Sequence, residues 1–218
     1  MSLRHQITNT LFPPKCVLCG RILEKNELDL CADCRINAPE CPVRQRKLPF
    51  LDSWLAVWHY EDSVRRSLLR YKFHNKRHYA AAYGRLLAMK ILRERDGAFD
   101  LITWVPISRW RKLRRGYDQV ELLARAVCAE LGMEPVRCLR KIRHNPPQSG
   151  IVGQAQRRAN VLGVYEAVAP ENFRDQRVLL LDDIITTGAT LSECARVLLT
   201  AGAKEVHCAA VAAVKEHK

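Results

Sequence analysis

The stretch from Val178 to Leu191, VLLLDDIITTGATL, constrains the fold of this chain more than any other. Four apolar residues run straight into two adjacent acids, then into a short Thr/Gly loop, then into residues that suit a helix start. A short apolar run bounded by turn residues is the pattern of a strand buried on both faces. Other segments repeat it: Ser53–Tyr60 (SWLAVWHY), Asp100–Pro106 (DLITWVP) and Val206–Val214 read as strands. Between them, Val64, Leu68 and Leu69, and then Tyr83, Leu86, Leu87 and Ile91, recur at helical spacing. Asp118-Gln-Val-Glu121 is a capping box opening a helix that runs to Gly132, and Leu191–Ala201 is a helix closed by Gly202. Strands alternating with helices predict an α/β fold with a mostly parallel sheet flanked by helices, its ligand beyond the carboxyl ends of the strands.

The acids then acquire a chemical meaning. Leu179–Leu181 carry Asp182 and Asp183 to the strand's carboxyl edge, and Thr186, Thr187, Gly188, Ala189 and Thr190 lead into a helix. Hydroxyls and successive backbone N–H groups at a helix start surround a phosphate well, and Gly188 allows close backbone approach. An ATPase strand also ends in acids, but it needs a Gly-Lys phosphate loop. None of the ten glycines here is followed by lysine. Two carboxylates beside a phosphate cradle suit a sugar phosphate instead: the acids accept from vicinal ribose hydroxyls while the loop holds the 5′-phosphate.

Five of the nine cysteines fall between Cys16 and Cys41. Cys16-Val-Leu-Cys19 and Cys31-Ala-Asp-Cys34 are two CxxC turns eleven residues apart, the spacing of a tetrahedral site of four thiolates for one structural Zn²⁺. Cys41 reads as non-ligating, because Arg44 stands where a partner cysteine would be. A segment this small cannot bury its own core, so zinc supplies its folding energy. The remaining cysteines, Cys128, Cys138, Cys194 and Cys208, read as core residues.

The charge balance is the other unusual number. Lys and Arg total 36 against 23 Asp and Glu, a net +13 that points to an anionic partner. It is clustered. Arg65–His78 (RRSLLRYKFHNKRH) holds Arg65, Arg66, Arg70, Lys72, Lys76 and Arg77 with no acid, and Tyr71 and Phe73 interleave with them. Aromatics among cations suit single-stranded nucleic acid. The competing reading is an amphipathic helix with Leu68 and Leu69 inward. Arg109, Arg111, Lys112, Arg114 and Arg115 crowd a second segment, and a solvated basic face is the competing reading there. No apolar run approaches the length of a membrane helix and the N-terminus lacks a secretory apolar region, so a cytoplasmic chain without membrane insertion is expected.

VLLLDDIITTGAT closely resembles the signature of type I phosphoribosyltransferases, which bind phosphoribosyl pyrophosphate (PRPP). The resemblance implies that Asp182 and Asp183 hold the ribose hydroxyls and Thr186–Thr190 the 5′-phosphate. It implies that Ile107, Ser108 and Arg109 match the pyrophosphate loop by position. It also implies that the long segment Arg140–Gly163 supplies a loop closing over the reaction centre, with Lys141, Arg143 and Gln148 reaching the pyrophosphate. Taken together, the CxxC pairs, YKFHNKRH, VPISRWRKLRRGYDQVELLA, RHNPPQSGIVGQAQRRANVLG and the acid motif look like the ComF family of bacterial competence-associated proteins. Gly116 and Gln119 fall on family landmarks; Tyr117-Asp118 stands where the family often has Phe-Asn.

The resemblance implies a four-cysteine zinc module over residues 1–44, a linker over 45–52 and a type I phosphoribosyltransferase-like domain over 53–218. It implies a PRPP-binding protein that handles incoming single-stranded DNA, with Mg²⁺ accompanying PRPP and proteins of the DNA-uptake machinery as partners. The alternative is an active phosphoribosyltransferase acting on a nucleobase or other nitrogen nucleophile in nucleotide salvage. In the DNA-handling reading, Arg65, Arg66, Arg70, Lys72, Lys76, Arg77, Arg111, Lys112, Arg114 and Arg115 are the candidate nucleic-acid contacts.

Overall fold

Four parallel strands carry the fold in a computed structural model that describes residues 13–42, 47–95, 98–143 and 161–215. They are β1 (Ser53–His59), β2 (Leu101–Trp104), β5 (Arg177–Ile185) and β6 (Glu205–Ala213), in the order β1-β6-β5-β2. A separate antiparallel ribbon pairs β3 (Leu139–Lys141) with β4 (Tyr165–Ala167). The helices are α1 (Ala32–Asn37), α2 (Asp62–Phe73), α3 (Tyr79–Arg95), α4 (Arg109–Arg115), α5 (Gln119–Leu131) and α6 (Ala189–Thr200).

The middle of each strand is apolar because both sheet faces are covered. Alternation along β5 divides the core: Leu179 and Leu181 join α2, α3 and α5 through Leu68, Tyr83, Leu87 and Leu123. Val178 and Leu180 face the other way, against Leu191, Cys194 and Leu198 of α6 and against Phe173. All four scattered cysteines are buried, as expected of core residues. α3 and α5 cross closely at Gly84, where an added Cβ would lie 2.5 Å from Ala126 Cβ.

Two local signals read from the sequence hold. Asp118 caps α5 by accepting from the N–H groups of Val120 (3.0 Å) and Glu121 (3.2 Å), and Gly132 closes it at φ 67°. One reading is corrected. The acids do not end their strand: β5 continues through Ile185, paired with β6 as far as Ile185 and Ala213. The basic segment after β2 is a helix, α4, capped by Ser108 and closed by Gly116 at φ 75°.

The cysteine segment shares the main core. Val17, Leu18, Leu23 and Leu30 are buried with Val64, Leu68 and Tyr83 in one cluster. Its chain then lies along β1: Cys41 N–H donates to Val57 O (3.0 Å) and His59 N–H to Pro39 O (2.7 Å), covering an otherwise open sheet edge.

Candidate functional site

β2 stops before its neighbour does. Its last residue, Trp104, pairs with Leu181, and Val105 N–H donates to Leu181 O (2.9 Å). Past that point β5 keeps its β6 partner and loses β2, so a cleft opens beside Asp182 and Asp183. This cleft, about 970 Å³, has its floor at Asp182–Thr186, with Gly188 and Thr190 at one end. Ile107, Arg111, Arg115, Lys72 and Lys141 form its walls.

The two acids have different surroundings. Asp183 is buried, and both of its oxygens are engaged: Lys72 Nζ lies 2.9 Å from Oδ1, and Gln119 Nε2 donates to Oδ2 (3.2 Å). Arg115 donates to Gln119 Oε1 (2.8 Å), so the amide is oriented from behind. Asp182 accepts from Asp183 N–H (2.8 Å). Desolvation first, then the neighbouring Asp183 charge, pushes its carboxyl well above the usual carboxylate range.

The loop from Thr186 to Gly188 connects the strand to α6. Gly188 sits at φ 79°, a region that costs a side-chain-bearing residue energy, and a Cβ there would lie 2.5 Å from Leu48 Cδ2. α6 begins without a side-chain cap hydrogen bond, and the N–H groups of its first turn have no intrahelical acceptor by geometry. Thr187 Oγ1 accepts from Ala189 N–H at 3.4 Å. Thr186, Gly188 and Thr190 line the cleft, while Ala189 is buried beneath it.

The opposite wall is cationic. Helical spacing sets Arg111 and Arg115 on one ridge of α4 and Trp110 and Arg114 on the next, and all four line the cleft. Lys141 comes from β3, its Nζ 5.2 Å from the centre of the Tyr165 ring. Burial, then the nearby Arg111 charge, brings its pKa down to about 8. Ile107 N–H donates to Asp118 Oδ2 (3.2 Å), so the carboxylate that caps α5 also fixes the loop after β2. Ser108 is buried as the α4 cap, and Arg109 is exposed.

The remaining candidates lie elsewhere. Arg65 and Arg66 are exposed on α2, and Arg143 is exposed beyond β3. Arg70 donates to Leu18 O, Lys112 pairs with Glu121 (2.9 Å), and Arg77 lies 4.6 Å from the Tyr117 ring centre. Lys76 is exposed. Tyr71 is fully buried, its hydroxyl donating to Gln119 O, so it presents no stacking face; of the interleaved pair only Phe73 is exposed. Gln148 and Arg44 lie outside the described residues. The sequence reading missed Lys72 and Gln119 as the partners of Asp183 and Asp118 as the anchor of Ile107. Gln119 and Asp118 stood in the RRGYDQ segment and Lys72 in YKFHNKRH, but nothing local says where such side chains reach.

The four cysteine sulfurs of Cys16, Cys19, Cys31 and Cys34 lie within 4.8 Å of one another, with Cys19 Sγ 3.7 Å from Cys31 Sγ. Tetrahedral Zn–S bonds of ~2.3 Å place sulfurs ~3.8 Å apart, so the spacing fits one zinc ion. Burial and the neighbouring thiols push Cys34 well above the ordinary thiol range, a resistance to ionisation that a divalent cation reverses. This is a structural zinc site. Cys41 stands outside it, buried in the other core cluster with its thiol pushed up to about 11 by burial. No helix among the described residues is long and apolar enough to cross a membrane.

Two families match the chain: a double zinc ribbon domain over residues 7–48 and a phosphoribosyl transferase domain over residues 114–218. Competence protein F of Haemophilus influenzae is 29% identical, over 78% of this chain and 76% of that protein. DNA utilization protein YhgH of Salmonella typhi is 27% identical, over 88% of this chain and 86% of its own. Competence protein ComFC of Streptococcus pneumoniae is 26% identical, over 88% and 96%. The fold is that of the type I phosphoribosyltransferases with an N-terminal four-cysteine zinc ribbon.

Proposed function

Because the chain belongs to the ComF family of phosphoribosyltransferase-like proteins, we propose that it binds PRPP in the cleft and handles single-stranded DNA in natural competence. One observation carries the PRPP half. The cleft aligns a helix start whose N-cap is glycine, an acid pair and a cationic wall in a single volume of about 970 Å³. PRPP has the matching order: a 5′-phosphate, a ribose diol and a pyrophosphate. In this reading Thr186–Thr190 receive the 5′-phosphate and Asp182 and Asp183 accept from the diol. Ile107–Arg109 with Arg111 and Lys141 receive the pyrophosphate, which enters with Mg²⁺. Asp183 already serves Lys72 and Gln119, but a carboxylate has about four acceptor positions, so a hydroxyl can join. Arg143, two residues past Lys141 and beyond the end of β3, is the other basic candidate for the pyrophosphate.

The DNA half rests on the net +13 charge and on the names of the relatives. It makes proteins of the DNA-uptake machinery the expected partners and the cytoplasm the expected location. The test is the paired substitution Asp182→Asn/Asp183→Asn, followed by calorimetric titration with PRPP and Mg²⁺ and by anisotropy of a labelled single-stranded oligonucleotide. PRPP binding should vanish while oligonucleotide binding persists or strengthens, since negative charge is removed. PRPP binding that survives in the folded variant refutes the assignment of the acids.

A further inference from the structure

Three of the four tryptophans, Trp54, Trp58 and Trp104, are 9% exposed or less, as their volume leads one to expect. Trp110 is 55% exposed. Phe73 is 62% exposed at the end of α2, a helix that buries Val64, Leu68 and Tyr71. The two rings line the same cleft mouth from different elements, and each carries a guanidinium: Arg114 lies 5.4 Å from the Trp110 ring centre and Arg115 5.0 Å from that of Phe73.

Each of the two exposed rings has a guanidinium over it, whereas the centre of a surface that a protein partner buries is depleted of charge. They repeat a two-part unit, a flat π surface and a positive charge a few ångströms away. α4 itself, RWRKLRR, contains no acid. We propose that Phe73 and Trp110 are a base-stacking platform at the cleft mouth, on which single-stranded DNA lies with its phosphates against Arg111, Arg114 and Arg115. The proposal rests on the DNA reading above and gives it an address. Stacking requires an unpaired base, which selects single strands over duplex. It also places the strand where it shares Arg111 and Arg115 with the PRPP cleft, so occupation of the cleft alters the cationic wall available to DNA.

Trp110, as the exposed tryptophan, is its own reporter. Saturating oligothymidylate should quench the long-wavelength part of the tryptophan emission, and Trp110→Phe should remove that response while keeping most of the affinity. By anisotropy, Trp110→Ala and Phe73→Ala should each weaken binding about tenfold, the scale of one lost base stack. Arg114→Gln should instead reduce the salt slope by about 0.7, one phosphate contact on a single strand. Both rings are exposed, so unfolding midpoints should not move and serve as the folding control. Equal binding by wild type and the two alanine variants, no emission change at saturation, or equal affinity for a duplex each overturns the platform. Wild type that fails to bind the oligonucleotide near physiological salt overturns the DNA reading itself.

Discussion

Lys72 Nζ lies 2.9 Å from Asp183 Oδ1, so the basic segment ahead of α3 feeds a cation into the acid motif. The lysine side chain is 20% exposed and the carboxylate 5%. At that burial, removing one partner leaves an uncompensated charge. Lys72→Met should cost about 3 kcal/mol in urea denaturation, near the lower end for a broken buried pair. The double variant Lys72→Met/Asp183→Asn should be more stable than the sum of the single effects implies, with a coupling of about 1 kcal/mol or more. Additive effects would mean that the pair contributes no interaction energy.

The zinc ribbon and the acids are joined through one helix. Val17 and Leu18 lie between Cys16 and Cys19; Ser67 Oγ donates to Val17 O and Arg70 to Leu18 O, and Lys72 follows within one turn. Loss of zinc should therefore loosen α2 before it affects α6, which packs on the other face of the sheet. In Cys34→Ser, or after chelation, amide hydrogen exchange should accelerate along α2 with little change in α6. Unchanged α2 protection in zinc-free protein would show that the ribbon does not anchor the helix.

Much of this was legible in the sequence because it is local. Continuous apolar runs gave the buried strands, Asp118 and Gly132 bounded α5, and the two CxxC turns located the metal site. What was hidden is non-local or disguised. Gln119 and Asp183 are 64 residues apart, and no periodicity connects them. The buried stripe of α2 is Val64, Ser67, Leu68 and Tyr71, one helical face, but a serine in its middle and a tyrosine at its end read as polar. The run of β5 past its acids depends on β6, whose small residues Ala209, Ala210, Ala212 and Ala213 are fully buried beside it.

Gly84 tests the helix packing. A Cβ there would meet Ala126 Cβ at 2.5 Å and the Ala126 backbone carbon at 2.8 Å, and neither atom belongs to a flexible side chain. Alanine would ordinarily stabilise a helix interior, by up to about 1 kcal/mol. Here Gly84→Ala should lower the unfolding free energy by about 2 kcal/mol, because α3 and α5 must separate. A stabilised variant would show that the two helices have room to give.

Lys141 gives the cleft a pH dependence. Its pKa of about 8 lies below the usual lysine value because burial and Arg111 disfavour the ammonium. The affinity that the charged form provides for a pyrophosphate group is present below that pH and lost as pH rises through about 8. Stability runs the opposite way. Above pH 8 the folded chain releases a proton that an unfolded lysine keeps until about 10.4, so folding becomes more favourable with rising pH across that window. With inorganic pyrophosphate as the probe, wild type should lose affinity through pH 8 relative to Lys141→Gln, whose profile reports the titration of the ligand and of Asp182 without the lysine. In the same window the stability of wild type should rise relative to that variant. Parallel profiles in both measurements would remove Lys141 from the pyrophosphate wall.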